Sequence, residues 1–208
     1  MSRSYTLDTK AASAADNIVS RIDQTGKYVG TLTRVEIVTS KNETEGVEFS
    51  FKSDDGATAD FLSLWTYNAK GEALPSLKTL NAMMTVCKAK TLTPTAGQVE
   101  KWDSGSGQRG KFPATIFPEL TNKRIGLLLQ REEYEKRDGS IGAKVNIVGC
   151  FDPDTELTAS EILARKTEPE TLSRMVTALR DKPMKGKQEK REVMAPSGMD
   201  DMDDDIPF

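Results

Sequence analysis

Val47-Glu48-Phe49-Ser50-Phe51-Lys52-Ser53-Asp54-Asp55-Gly56-Ala57-Thr58-Ala59-Asp60-Phe61-Leu62-Ser63-Leu64-Trp65-Thr66-Tyr67 reads as a β-hairpin. Val47, Phe49 and Phe51 alternate with Glu48, Ser50 and Lys52, so one face is apolar and the other polar. Asp54-Asp55-Gly56 supplies the reversal, because glycine reaches the positive φ that a tight turn demands. The return strand, Ala57 to Tyr67, sets Phe61, Trp65 and Tyr67 on one parity and Leu62 and Leu64 on the other. Phe49, Phe51 and Phe61 are assigned to the core, since aromatic side chains on a strand usually pack inward.

The pattern extends both ways from this hairpin. Upstream, Lys27 to Ser40 is a long strand rich in β-branched residues, with Gly30 marking a bend. Ile18, Val19 and Ile22 suit a short N-terminal helix that Gly26 ends. Downstream the period changes: Leu74, Leu77, Leu80, Met83, Met84 and Cys87 recur at helical spacing, with Pro75 near the start. Thr91 to Asn122, rich in Gly, Pro, Ser and Thr, reads as a long functional loop. Lys123 to Tyr134 and Lys144 to Phe151 are the fourth and fifth strands, joined through a turn at Asp138-Gly139. Thr158 with Glu161, and Thr167 with Glu170, have the spacing of capping boxes at two helix starts. Pro183 stops the second helix.

Three strands, a helix, then two more strands is the order of an OB-fold, a five-stranded barrel that binds oligonucleotides across strands two and three. The expected fold is therefore mainly β (α+β), with a long insertion before strand four, C-terminal helices and a disordered acidic tail. The expected divisions are an N-terminal extension (1–25), the OB-fold domain (26–152), a helical segment (153–182), and a linker with an acidic tail (183–208).

Composition narrows the function. Hydrophobic residues make up 37% and charged residues 29%, which suits a soluble domain with a polar appendage. No apolar run approaches membrane-spanning length and Met1 to Lys10 lacks a signal-peptide stretch, so a cytoplasmic location and no membrane partner are expected. There is no histidine, and the two cysteines, Cys87 and Cys150, sit in apolar surroundings as small buried side chains. Without enough Cys and His for a zinc site, and without the commonest general base, no metal, no cofactor and no enzyme activity are expected.

The net charge of −3 hides an asymmetry. Residues 200–208 hold five aspartates and no base, whereas residues 78–131 hold nine Lys and Arg against Glu100, Asp103 and Glu119. A basic centre is thus joined to an acidic terminus. Trp and Tyr give sequence-tolerant stacking on unpaired bases, and Lys and Arg track phosphates. Arg34, Lys52, Trp65, Tyr67, Trp102, Arg109, Lys111, Phe112, Arg131, Tyr134 and Lys136 are the candidate DNA contacts. Gly105-Ser106-Gly107-Gln108-Arg109-Gly110-Lys111-Phe112 imitates phosphate-cradling loops. Such loops need a strand running directly into a helix, and Pro113 and Pro118 oppose the helix.

The chain ends Asp203-Asp204-Asp205-Ile206-Pro207-Phe208 with a free carboxylate, an acidic run with an aromatic tip. This end resembles the C-terminal tip of bacterial single-stranded DNA-binding proteins, and the whole chain is similar to phage-encoded single-stranded DNA-binding proteins. The resemblance implies sequence-independent binding and protection of single-stranded DNA in replication, recombination and repair. It also implies recruitment of partner enzymes through Asp203, Asp204, Asp205, Ile206, Pro207 and Phe208, self-association on DNA, and the bacterial host cytoplasm as the setting. The competing expectation is an OB-fold accessory adaptor that binds partner proteins through the tail without coating DNA.

Overall fold

Alternation builds the first three strands much as expected. Gly26–Thr39 forms β1, Glu45–Ser53 forms β2 and Thr58–Tyr67 forms β3, in the computed structural model that describes residues 6, 7, 9, 21–103, 105, 107–136 and 138–184. β1 pairs antiparallel with β2, and β2 with β3. The register sets Val35, Phe49 and Leu62 in one row, all buried. β1 has two long ladders: Gly30 to Thr39 runs along β2, while Gly26 to Thr31 pairs with β6 (Arg124–Glu135). The overlap is tight at Gly30, where a Cβ would lie 2.2 Å from the Lys52 carbonyl oxygen, so any larger residue forces the strands apart.

After β3 comes α1, Ser76–Val86, whose Leu80, Met83 and Val86 are buried. It packs against β3 and against β7 (Ile141–Phe151), which pairs antiparallel with β6. Ile125, Leu127, Leu129, Val145 and Ile147 complete the main core. β3 and β7 approach each other, but no ladder joins them among the described residues, and the sheet is unclosed.

The stretch read as a long loop is largely strand. Thr95–Asp103 forms β4 and Gln108–Ile116 forms β5, an antiparallel hairpin that joins the sheet where Glu36 of β1 pairs with Ile116. Among the described residues the molecule is a mainly β, seven-stranded antiparallel sheet, not a five-stranded one. Pro113 is accommodated because β5, apart from Ile116, is paired only with β4 among the described residues and presents its other side as an edge, where a missing N–H costs little.

Two further expectations change. The N-terminal helix over Ile18 and Val19 lies outside the described residues. Ile22, grouped with it, is extended: its N–H donates to the Thr58 carbonyl at 2.8 Å and its side chain joins the main core. At the other end, Ala159–Leu163 forms α2 and Thr171–Ala178 forms α3. Thr158 and Glu161 make the expected capping box, with the Glu161 carboxylate accepting from the Thr158 N–H at 2.8 Å. The second box does not form, because Glu161 caps α3 as well, accepting from the N–H groups of Glu170 at 2.8 Å and Thr171 at 2.7 Å. Those donors, the Thr158 N–H foremost, hold the Glu161 carboxyl well below the usual carboxylate range. Leu172 of α3 packs with Leu128 and Phe151 in a second small core behind β6 and β7.

Candidate functional site

Cross-strand partners share a face. Since Val35, Phe49 and Leu62 point into the core, the neighbouring rows, Arg34 with Ser50 and Glu36 with Glu48 and Ser63, occupy the opposite face of the three-stranded meander. The β4–β5 hairpin lies over that face. Lys101 Nζ reaches both carboxylate oxygens of Glu36 at 3.2 Å, and Arg109 Nη2 reaches Asp60 Oδ2 at 3.1 Å. Between hairpin and meander is a cavity of about 500 Å³, whose lining includes Thr33, Arg34, Lys52, Asp60, Glu100 and Arg109.

Arg34, one of the cavity-lining residues, belongs to a largely buried charge quartet with Glu36, Glu48 and Lys101. Arg34 is 5% exposed and Glu36 2% exposed. The Arg34 guanidinium donates to Glu36, to Glu48 Oε1 at 3.0 Å and to Ser50 Oγ at 3.0 Å, and Lys101 supplies the second cation. Two positive and two negative groups cancel, which is the condition under which desolvated charges are tolerated. Arg34 is therefore engaged within the sheet, and Lys101 joins the hairpin to it through their shared partner Glu36.

Above Arg34 stands Phe61, its ring centroid 5.4 Å from the guanidinium carbon. The expected core position for Phe61 is overturned: it is 51% exposed. The ladder places Ala59 opposite Phe51 and Leu62 opposite Phe49, so Asp60 and Phe61 together face Ser50 in a bulge. Phe61 takes φ +61°, a left-handed backbone that is rare for a bulky side chain.

Other expected contacts fall into three groups. Lys52, Arg109, Lys111 and Trp102 are exposed around the cavity and the hairpin, with Trp102 paired to Arg109 and Lys111 to Glu100 in the ladder. Phe112 is half-buried opposite Val99. On β3, Tyr67 is exposed, whereas Trp65 is half-buried against Gly46, where a Cβ would lie 2.8 Å from its ring. Arg131, Tyr134 and Lys136 lie away from the cavity lining on the β6–β7 arm. Arg131 there donates to Glu133 at 2.8 Å and lies 3.6 Å from Asp181. The linker and tail from residue 185, including Asp203 to Phe208, lie outside the described residues.

The residue readings missed Phe61 and Asp60 as surface groups and Lys101 as a structural cation. Parity carried a signal: with Leu62 and Leu64 inward, Phe61 belongs on the other face. Gln108 to Lys111 of that glycine-rich motif lie in β5, a strand and not a helix. Burial pushes the thiols up, Cys87 to about 11 and Cys150 to about 12, so both stay protonated at neutral pH. Among the described residues, no group of three or more His, Cys, Asp or Glu is placed to hold a metal ion. Among them, too, no helix is long and apolar enough to cross a membrane. A second, more apolar cavity of about 560 Å³ lies between α1, β7, α2 and α3.

No protein-family model and no curated protein matches the chain.

Proposed function

We propose that the chain binds single-stranded DNA without regard to sequence, along the hairpin-covered face of β1, β2 and β3. In this reading it protects exposed strands during replication, recombination and repair. The observation that carries the proposal is a cavity lined by the exposed cations Lys52 and Arg109, with exposed Phe61 next to its Asp60 and exposed Trp102 paired with its Arg109. Aromatic faces take unpaired bases, and the cations take the backbone between them. The finer fold reading supports it. The path β3-β2-β1-β6-β7, with α1 against β3 and β7, follows OB-fold order, and the β4–β5 hairpin is then an insertion before the fourth barrel strand. Arg131, Tyr134 and Lys136 belong to the hairpin joining the last two barrel strands, a second place where such folds hold nucleic acid. The Asp203–Phe208 tip recruits partner enzymes, with Phe208 in an apolar pocket and its carboxylate on an Arg or a group of backbone N–H donors.

The test is a titration against a labelled oligo(dT) and against duplex of equal length, at two salt concentrations. Strong preference for the single strand that weakens with salt supports the reading. Equal or absent binding removes it and leaves the adaptor, which binds proteins through the tail alone. One observation favours that second reading: Arg34, Lys101 and Arg109 are already paired with carboxylates.

A further inference from the structure

Phe61 combines features that packing alone does not require. Its backbone is left-handed, a conformation that penalises any residue with a Cβ, and glycine or asparagine would be the ordinary choice there. Its ring is half exposed, and it is backed by a guanidinium that three neighbours hold still. Backbone strain of this kind persists where the surrounding structure over-determines it, and it concentrates at binding sites.

The residue beside it extends the argument. Asp60 shares the bulge with Phe61 and accepts from Arg109 at 3.1 Å. Arg109 is in turn the ladder partner of Trp102, which is 54% exposed. One ion pair therefore links the neighbours of two exposed rings, Asp60 beside Phe61 on the sheet and Arg109 opposite Trp102 on the hairpin. The pair is itself half open to solvent, with side-chain exposures of 50% and 29%, whereas Lys101 and Glu36 seal the hairpin nearer its base.

We infer that Phe61 and Trp102 are the two jaws of a clamp for a single unpaired nucleobase, with the Asp60–Arg109 pair setting their separation. The inference rests on the single-strand reading above and sharpens it. A base inside a duplex is stacked on both faces and cannot enter between two rings. An unstacked base offers both faces, and Arg109 is then beside the phosphate that follows it.

A double-mutant cycle on the full chain tests this, with short oligo(dT) as the probe at one low salt concentration. Phe61→Leu and Trp102→Leu each weaken binding roughly tenfold, the effect of removing one stacked base. If both rings hold the same base, the double variant falls well short of the roughly hundredfold product of the singles, because contacts sharing a partner are not additive. Phe61→Trp retains binding. Multiplying losses, or a single variant that binds like the wild type, would overturn the clamp. Wild-type protein that ignores oligo(dT) would instead overturn the single-strand reading, and the clamp with it. Phe61→Gly, which tolerates the left-handed backbone, keeps the test valid should the leucine variant fold poorly.

Discussion

Position 61 shows how much a single residue can conceal. Three phenylalanines, Phe49, Phe51 and Phe61, lie in one hairpin, and two of them are fully inside. The third is outside because Asp60 and Phe61 together face one partner, which shifts the strand by a residue and needs a left-handed backbone. The consequence is measurable. Phe61→Gly relieves the backbone but gives up the ring's contact with Arg34 and adds chain entropy, terms of ~1 kcal/mol each. Its stability should therefore stay within about 1 kcal/mol of the wild type in denaturant melts. Phe49→Ala, which empties the core, should cost ~3–5 kcal/mol. Equal losses at the two positions would return Phe61 to a packing role.

At the scale of elements, the β4–β5 hairpin is the component that makes a groove out of a sheet face. Its sequence gives weak strand signals: Thr-Ala-Gly-Gln opens one strand and Pro113 interrupts the other. Pairing of the two strands along their whole length, and the Lys101–Glu36 contact 65 residues apart, supply what local propensity lacks. Glu36→Ala leaves Arg34 and Lys101 without their shared anion. It should destabilise the protein by ~3–5 kcal/mol, the cost of breaking a buried pair, and free the hairpin to exchange amide protons. Unchanged exchange in residues 95–116 would count against the quartet as the hairpin's anchor.

The C-terminal segment has an electrostatic tie of its own. Lys182 first, then Asn146 and Lys144, hold the Glu132 carboxyl down to about 2, against an ordinary value of 4.5. A depressed folded-state pKa means stability that is complete above pH 4.5 and disappears as the pH falls towards 2. Glu161, which caps both helices, is shifted in the same direction. Glu132→Gln should therefore flatten the pH dependence of the melting temperature below pH 4.5, and lower it at neutral pH by roughly 2–4 °C. A slope as steep as that of the wild type would assign the acid sensitivity elsewhere.

For the whole molecule, charge separation is the governing feature. Residues 78–131 hold nine Lys and Arg against three acidic residues, and residues 200–208 carry five aspartates. In the proposed reading residues 183–208 act as a flexible tether, which would hold the two at an effective concentration of about a millimolar. The tail should compete with DNA for the groove when DNA is scarce. Deleting residues 200–208 should tighten oligo(dT) binding several-fold at low salt, with the difference vanishing as salt screens the attraction. Identical low-salt affinities would show that tail and groove act independently.

The amino-acid sequence by itself determined the elements that depend on neighbours close in the chain. The alternation from Val47 to Phe51, the Asp54-Asp55-Gly56 turn, the helical period from Leu74 to Cys87 and the Thr158–Glu161 cap are local relations, and each appears within a few residues of its expected bounds. So do the strands through Ile125–Leu129 and Val145–Val148. Only the tertiary structure decided the rest. That Thr95–Ile116 is a hairpin folded across the meander, that Arg34 is buried in ion pairs, and that Glu161 caps two helices depend on groups as much as 65 residues apart meeting in a desolvated place. Short-range periodicity registers which side of a strand is apolar; it carries no record of which distant charge will neutralise a polar one.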